Sequence, residues 1–93
     1  MVIERFESLF SVGNNHYLYV QHTADDTEYD FDFTLYDRNF RDVDGGVIGQ
    51  NTDWSLKRAA REIIDSYASE KDFDKPTGKL REIDLEQYRD RIM

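Results

Sequence analysis

The sequence predicts an α+β fold, a three- to four-stranded antiparallel sheet that packs against one main helix and is followed by a short C-terminal helix. Two observations support this prediction. Apolar residues alternate with polar ones in the first half of the chain, and from residue 56 onwards they recur at helical spacing. A chain of 93 residues can bury only one core, so a single domain is expected over residues 1–93.

The clearest predicted strand covers residues 29–36. Its aromatic and aliphatic residues alternate with aspartates and a threonine, which gives the strand one core face and one acidic face. The β-rich segment His16–His22 precedes it, and the polar residues 23–28 between the two have the length of a hairpin loop. These two strands are expected to pair antiparallel.

Further short strands complete a predicted meander within about residues 2–48. Residues 40–43 are expected to form a strand, and Asp44-Gly45-Gly46 to supply the positive-φ residues of a tight turn before residues 47–48. Residues 2–12 fit neither period cleanly, and a strand is favoured there over a helix.

The main helix is predicted over residues 54–68. Its apolar residues recur on one side at a period of 3.6: Leu56, Ala59, Ala60, Ile63, Ile64 and Tyr67. Either Asp53 or Ser55 can cap its start, and the sequence leaves both alternatives open. If Ser55 is the cap, Trp54 lies where a residue packs back onto the first turn.

The end of the chain is predicted to be a loop and a short helix. Residues 69–82 are largely polar and contain the only proline, which predicts an exposed loop. Residues 84–87 then have the form of a capping box, and the apolar stripe continues to Ile92. The short helix is therefore expected over residues 84–92.

The negative charge of the chain is concentrated in the predicted sheet. The 12 basic and 20 acidic residues give a net charge of −8. Residues 1–56 hold 11 acids and three bases, whereas residues 57–93 hold nine of each. One interpretation is that these acids only solvate the exposed sheet face. The alternative is a binding face for a basic protein surface, such as a nucleic-acid-binding host protein.

The candidate contact residues of such a face are seven acids and the single tryptophan: Asp25, Asp26, Glu28, Asp30, Asp32, Asp42, Asp44 and Trp54. Some acids have a competing use inside the molecule, because the helix dipole disfavours cations in the first turns of the main helix. These cations are Lys57, Arg58 and Arg61. Their natural internal partners are Asp42, Asp44 and Asp53.

Composition disfavours several function classes. The absence of cysteine excludes thiol catalysis and thiolate zinc sites, and a sequence pI near 4.6 disfavours direct binding of nucleic acid. No apolar run is long enough to span a membrane, and the first residues lack the pattern of a signal peptide. A cytoplasmic location without membrane contact is expected.

No catalytic, metal or cofactor site is predicted. Residues 37–45 lack the ligand spacing of an EF-hand loop. His16 and His22 are about 20 Å apart along a straight strand, too far to share a metal ion. Asp30 and Asp32 are expected in open solvent, whereas acid–base catalysis by a carboxylate pair needs a cleft that raises one pKa. The expected protein is non-enzymatic and needs no cofactor.

Part of the chain resembles a known group of domains. The similarity lies in the strand DFTLYD (32–37), Phe40, the segment DVDGGVI (42–48) and the helix SLKRAAREII (55–64). Residues 29–64 thereby resemble small domains of large polyvalent proteins from phages and conjugative elements of Gram-positive bacteria. The resemblance identifies no functional residue. It implies that the chain belongs among mobile-element proteins. Such proteins are often accessory or anti-defence factors, including acidic inhibitors of restriction and CRISPR nucleases.

Together these observations predict a non-enzymatic, acidic protein-binding module. The more specific prediction is a mobile-element inhibitor of a restriction or CRISPR nuclease that presents a phosphate-like acidic face. The alternative is a structural or regulatory accessory domain of a phage or plasmid protein, whose acids only keep it solvated.

Overall fold

The computed structural model describes residues 6–23, 28–67, 76 and 78–92. Its elements follow in the order β1 (Glu7–Val12), β2 (His16–His22), β3 (Phe31–Asp37), β4 (Asp42–Ile48), α1 (Leu56–Ser66), β5 (Leu80–Ile83) and α2 (Leu85–Ile92). The α+β prediction is confirmed, but the sheet has five strands where three to four were expected.

The five strands form one antiparallel sheet in the order β4-β3-β2-β1-β5. The first four strands are the predicted meander, and β1 confirms the strand expected within residues 2–12, of which 2–5 lie outside the described residues. Each turn of the meander moves the chain one strand further from β1. The strand β4 is therefore at one edge, with β3 as its single neighbour.

The fifth strand corrects the prediction of a loop over residues 69–82. Residues 80–82 belong to β5, which pairs with β1 so that Leu80 lies opposite Val12 and Ile83 opposite Leu9. Four residues are too few to show a strand period, and the pairing depends on the distant edge of β1 rather than on local sequence. The end of the predicted main helix at residue 68, and residues 69–75 and 77 of the predicted loop, lie outside the described residues.

The predicted tight turn at Asp44-Gly45-Gly46 is also wrong. These residues lie inside β4, where Gly45 is opposite Thr34 in the ladder with β3. The positive φ angles occur on either side of the strand instead, at Phe40 (60°) and Gly49 (84°). Pairing along the whole of β3 thus outweighs the turn preference of two glycines.

One face of the sheet packs against α1. Ala59, Ala60 and Ile63 of the helix are fully buried there, in a cluster that includes Phe10 and Phe31 of the sheet. Of the two possible helix caps, Asp53 and Ser55, the structure shows Ser55. Its hydroxyl oxygen accepts a hydrogen bond from the Arg58 backbone N–H at 3.1 Å. The apolar stripe of the predicted helix is therefore its core face.

The opposite face carries a second core, which corrects the expectation of a sheet with one wholly polar face. Leu9, Phe40 and Leu85 are buried in this cluster, and Tyr17 stacks on Phe40 with ring centroids 4.0 Å apart. The helix α2 covers this part of the sheet. Asp84 starts it by accepting a hydrogen bond from the Glu86 backbone N–H at 3.1 Å, which confirms the predicted C-terminal helix.

Neither helix is long. In the part of the chain that the structure describes, no helix has the length and apolar character needed to cross a membrane.

Candidate functional site

The structure describes six of the eight candidate contact residues, since Asp25 and Asp26 lie outside the described residues. The five described acids lie on β3 and β4 or just before β3: Glu28, Asp30, Asp32, Asp42 and Asp44. They do not form one continuous surface. Two of them are engaged in hydrogen bonds within the domain, and the other three form none with residues that the structure describes.

Asp30 is engaged within the domain. Its Oδ2 atom accepts hydrogen bonds from the backbone N–H of Thr52 at 2.7 Å and from the Thr52 hydroxyl at 2.8 Å. These bonds hold the pKa of the Asp30 carboxyl below its usual value, because they stabilise the charged form. The expectation that Asp30 stands in open solvent beside Asp32 is therefore wrong.

Asp44 is engaged as well. It lies opposite the buried Leu35, so its side chain is on the α1 face of the sheet. One carboxylate oxygen accepts a hydrogen bond from the Tyr67 hydroxyl at 2.8 Å, and the other accepts one from the Gly45 backbone N–H at 2.8 Å. Asp44 thus ties the edge strand to the residue that ends α1.

Asp32 and Asp42 share the opposite face. Asp32 lies opposite Val47 and Asp42 opposite Tyr36, and residues 32 and 36 point to the same side of β3. Four residues of strand rise place the two acids about 13 Å apart. Neither carboxylate forms a hydrogen bond or ion pair with the described residues.

Glu28, just before β3, is exposed and likewise has no such partner in the described part of the chain. These three residues (Glu28, Asp32 and Asp42) are called the unpaired acids below. The charge of Asp42 still acts on its neighbour. Burial raises the pKa of the Tyr36 phenol, and the negative charge of Asp42 raises it further.

Trp54 lies on the opposite face of the sheet from Asp32 and Asp42. It is half-buried and packs against the core on the α1 side, and the Arg58 guanidinium lies 5.7 Å from its ring centroid. The indole therefore closes the edge of the core at the start of α1. It does not form a joint surface with Asp32 and Asp42.

The cations at the start of α1 are not compensated as expected. Arg58 pairs with Glu62 one turn later, at 2.9 Å. Within the described residues, neither Lys57 nor Arg61 pairs with any of the predicted partners Asp42, Asp44 and Asp53. Residues four apart on a helix are already neighbours, so the local partner is reached first.

A polar network that the sequence did not indicate joins α2 to the sheet. The Tyr19 hydroxyl donates a hydrogen bond to the Glu7 carboxylate, and the Arg89 guanidinium lies 3.1 Å from Glu7 and 2.6 Å from Glu86. Burial and the Glu7 carboxylate raise the pKa of Tyr19 above its usual value. Only the Glu86–Arg89 spacing is visible in the sequence, because Glu7 and Arg89 are 82 positions apart.

The histidines pack with the core. His16 is buried, and His22 lies against Phe31 with ring centroids 4.8 Å apart. Among the described residues, no three histidine, aspartate or glutamate side chains come together in a group that could hold a metal ion.

Comparison with known proteins identifies the family. A family model described as "Large polyvalent protein-associated domain 16" matches residues 4–92. The chain belongs to this family. The match extends beyond the resemblance over residues 29–64 and includes β1, β5 and α2 of this large polyvalent protein-associated domain. No curated protein and no solved structure matches the chain significantly.

Proposed function

We propose that this large polyvalent protein-associated domain is a non-enzymatic protein-binding module that presents its unpaired acids to a basic protein surface. The observation that carries the proposal is the position of Asp32 and Asp42 on one sheet face, where neither has a hydrogen-bond or ion-pair partner among the described residues. Like charges on a domain with a net charge of −8 raise the free energy of its compact state. A basic partner would relieve that repulsion and would associate faster because of it.

The more specific form of the proposal is a basic partner that normally binds nucleic acid. Membership of a family associated with large polyvalent proteins supports a role beside mobile-element proteins, and inhibition of a restriction or CRISPR nuclease is the activity we propose there. Charge spacing sets a condition on this form. One DNA strand carries a charge about every 3.4 Å, whereas Asp32 and Asp42 are about 13 Å apart. A phosphate-like face therefore needs Glu28, Asp25 and Asp26 as well.

A second candidate function is a structural or regulatory accessory domain that inhibits nothing. It is favoured by Asp30 and Asp44, whose hydrogen bonds hold β3 and β4 to neighbouring segments. In this alternative, the unpaired acids only keep the sheet face solvated.

Two variants with the same change in charge distinguish these functions. Asp32→Asn/Asp42→Asn removes two unpaired acids from the sheet face, whereas Asp65→Asn/Asp90→Asn removes two exposed acids from the helices. The tagged domain and both variants are used to capture proteins from a bacterial host lysate. Association rates with the captured protein are then measured at low and high salt. If that protein is a nuclease, its cleavage rate is measured with each variant.

We expect the sheet variant to associate more slowly and with a smaller salt dependence, because steering charges act mainly on the association rate and are screened beyond about 8 Å at physiological ionic strength. The helix variant should resemble the wild type. Equal rates and equal salt slopes for all three proteins would exclude the acidic face, and capture of no protein would favour the accessory domain. A captured nuclease that cleaves normally would exclude inhibition.

A further inference from the structure

The strand β4 has a free outer edge. It pairs only with β3, so its outward backbone N–H and C=O groups have no strand partner among the described residues. Residues 42–47 of the strand are exposed, and the side chains of Val43 and Val47 retain 39% and 48% of their accessible surface. The opposite edge strand, β5, has four residues, whereas β4 has seven. Of the two edges, β4 therefore offers the longer template for another strand.

Edge strands usually carry features that prevent further pairing, such as charges that point outward, prolines or bulges. In β4 these features are confined to one end, where Asp42 is exposed and a bulge interrupts the pairing beside Tyr36. The Asp44 carboxylate is bonded to Tyr67 on the α1 side. The two residues that follow it, Gly45 and Gly46, have no side chains. The Gly45 backbone N–H already donates a hydrogen bond to the Asp44 carboxylate, so an added strand would have to replace that bond. The other backbone groups of the stretch 44–48 belong to exposed or half-buried residues.

The charges beside this edge indicate the chemistry of a partner. Val47 shares the sheet face with Asp32, which lies directly opposite it on β3, and with Asp42, which lies at the other end of β4. A strand added along β4 would place alternate side chains over this face, about 4.8 Å from β4. An apolar side chain fits beside Val47. Lysine or arginine on the same face can approach Asp42 on β4 directly. Gly45, which has no side chain, leaves room beside Val47 for a long side chain to extend towards Asp32 on β3.

We propose that the outer edge of β4 binds an extended, basic segment of a partner protein as a sixth antiparallel or parallel strand. Main-chain hydrogen bonds would provide the pairing, and the two acids would select a cationic segment. The basic character of the partner rests on the function proposed above, whereas the mode of binding does not. A second copy of this chain is a poorer occupant, because each copy has a net charge of −8.

The test uses synthetic peptides and the full chain. The probe is a blocked seven-residue peptide that alternates lysine and valine, and the matched peptide has the same charge but a central proline. Proline removes a backbone donor and disrupts strand pairing. Binding is followed through the backbone amide resonances of the domain and their hydrogen exchange. We expect the proline peptide to bind at least roughly tenfold more weakly than the lysine–valine peptide. Binding of the lysine–valine peptide should increase protection from exchange in β4 and not in β5.

Two exposed substitutions locate the binding. Val47→Lys should abolish binding of the basic peptide, whereas Val47→Thr, which keeps β-propensity without adding charge, should retain it. Asp32→Asn/Asp42→Asn should weaken binding and reduce its salt dependence. Unchanged melting temperatures would show that these variants still fold.

The outcomes separate this inference from the proposed function. Equal binding of both peptides, still dependent on Asp32 and Asp42, would overturn strand addition and leave the acidic face intact. Binding of neither peptide up to about 1 mM would overturn strand addition. Whether the acidic face binds a basic partner would then be decided by the association rates with the captured protein. Concentration-dependent dimerisation that protects β4 without peptide would show that a second copy occupies the edge, and would also overturn the proposal.

Discussion

The Asp30 carboxylate accepts two hydrogen bonds from Thr52, which lies 22 positions later in the chain. The backbone N–H of Asp30 also donates to the Gly49 carbonyl oxygen at 2.8 Å. Asp30 therefore holds the segment between β4 and α1 against the start of β3. This segment leads directly to Ser55, so the position of the α1 start depends on an acid that resembles a surface residue in the sequence.

We expect Asp30→Ala to lower the melting temperature, because it leaves the Thr52 donors without their acceptor. Asp30→Asn should have a smaller effect in the same direction, since an amide oxygen still accepts but carries no charge. Asp32→Asn removes the same charge from a residue that has no partner in the described part of the chain, and it should leave the melting temperature unchanged or slightly raised. Equal melting temperatures for Asp30→Ala and Asp32→Asn would show that the Thr52 bonds contribute nothing to stability.

Acid should weaken the domain partly through two aspartates. Hydrogen bonds from Thr52 lower the pKa of Asp30, and backbone donors at Arg41 and Asn39 lower that of Asp37. A lowered folded-state pKa gives stability that is complete above the unfolded pKa, about 3.9, and is lost as the pH falls through the folded pKa. The difference in unfolding free energy between wild type and Asp30→Asn, measured in urea, should therefore shrink below about pH 4. A constant difference from pH 5 to pH 2 would contradict it.

Patterns that repeat within one element were readable from the sequence. The alternation of Phe31, Phe33 and Leu35 predicted β3, and the stripe from Leu56 to Tyr67 predicted α1, because burial of one face acts on each residue of the element. The cap at Asp84 was readable for the same local reason. Of the two sheet acids in the candidate surface, Asp32 could be placed from the sequence, because it lies in the predicted strand β3.

Features that depend on distant residues were not readable. The strand β5 exists because β1 has a free side, and β4 is continuous because β3 is long enough to pair with all of it. The division of the acids has the same origin. Whether an aspartate is free or bonded depends on Thr52 and Tyr67, whose positions are set by the folded sheet.

The core beneath α1 should depend strongly on Ile63, which is fully buried in the cluster that contains Phe31. Ile63→Ala should cost about 2–5 kcal/mol of unfolding free energy in urea. Ile63→Asp should unfold the domain, because it buries an unpaired charge. The exposed neighbour Arg61 provides the control, and Arg61→Ala should change stability by no more than about 0.5 kcal/mol. A wild-type melting temperature for Ile63→Asp would be incompatible with this packing.

Two glycines should respond in opposite ways to alanine. A Cβ on Gly78, whose φ is 111°, would lie 2.7 Å from the Gly13 Cα, so Gly78→Ala should separate the β1–β2 turn from the start of β5 and destabilise the domain. A Cβ on Gly46 would meet only the Phe33 ring, at 3.4 Å. Gly46→Ala should therefore stabilise the domain by up to about 1 kcal/mol, since it restricts the unfolded chain. Strong destabilisation by Gly46→Ala would instead support the tight turn that the sequence predicted.

The last prediction concerns Phe40, which combines a φ of 60° with a buried ring. Its ring packs against Tyr17, at 4.0 Å, and Tyr88, at 5.4 Å, so removal of the ring should cost about 3–5 kcal/mol. The left-handed backbone is a separate cost of about 1–2 kcal/mol for any residue with a Cβ. Aromatic packing therefore holds the backbone in a conformation that it would otherwise leave.

Comparison of Phe40→Ala with Phe40→Gly separates the two contributions. Both variants lose the ring, but only glycine accepts the left-handed backbone without strain, so Phe40→Gly should be more stable than Phe40→Ala by about 1 kcal/mol. At the exposed strand position Val47 the order should be the usual one, with alanine more stable than glycine by about 0.5–1 kcal/mol. Urea unfolding of the four variants measures both differences. The same order at both positions would mean that Phe40 stores no backbone strain, and that its ring alone accounts for its contribution to stability.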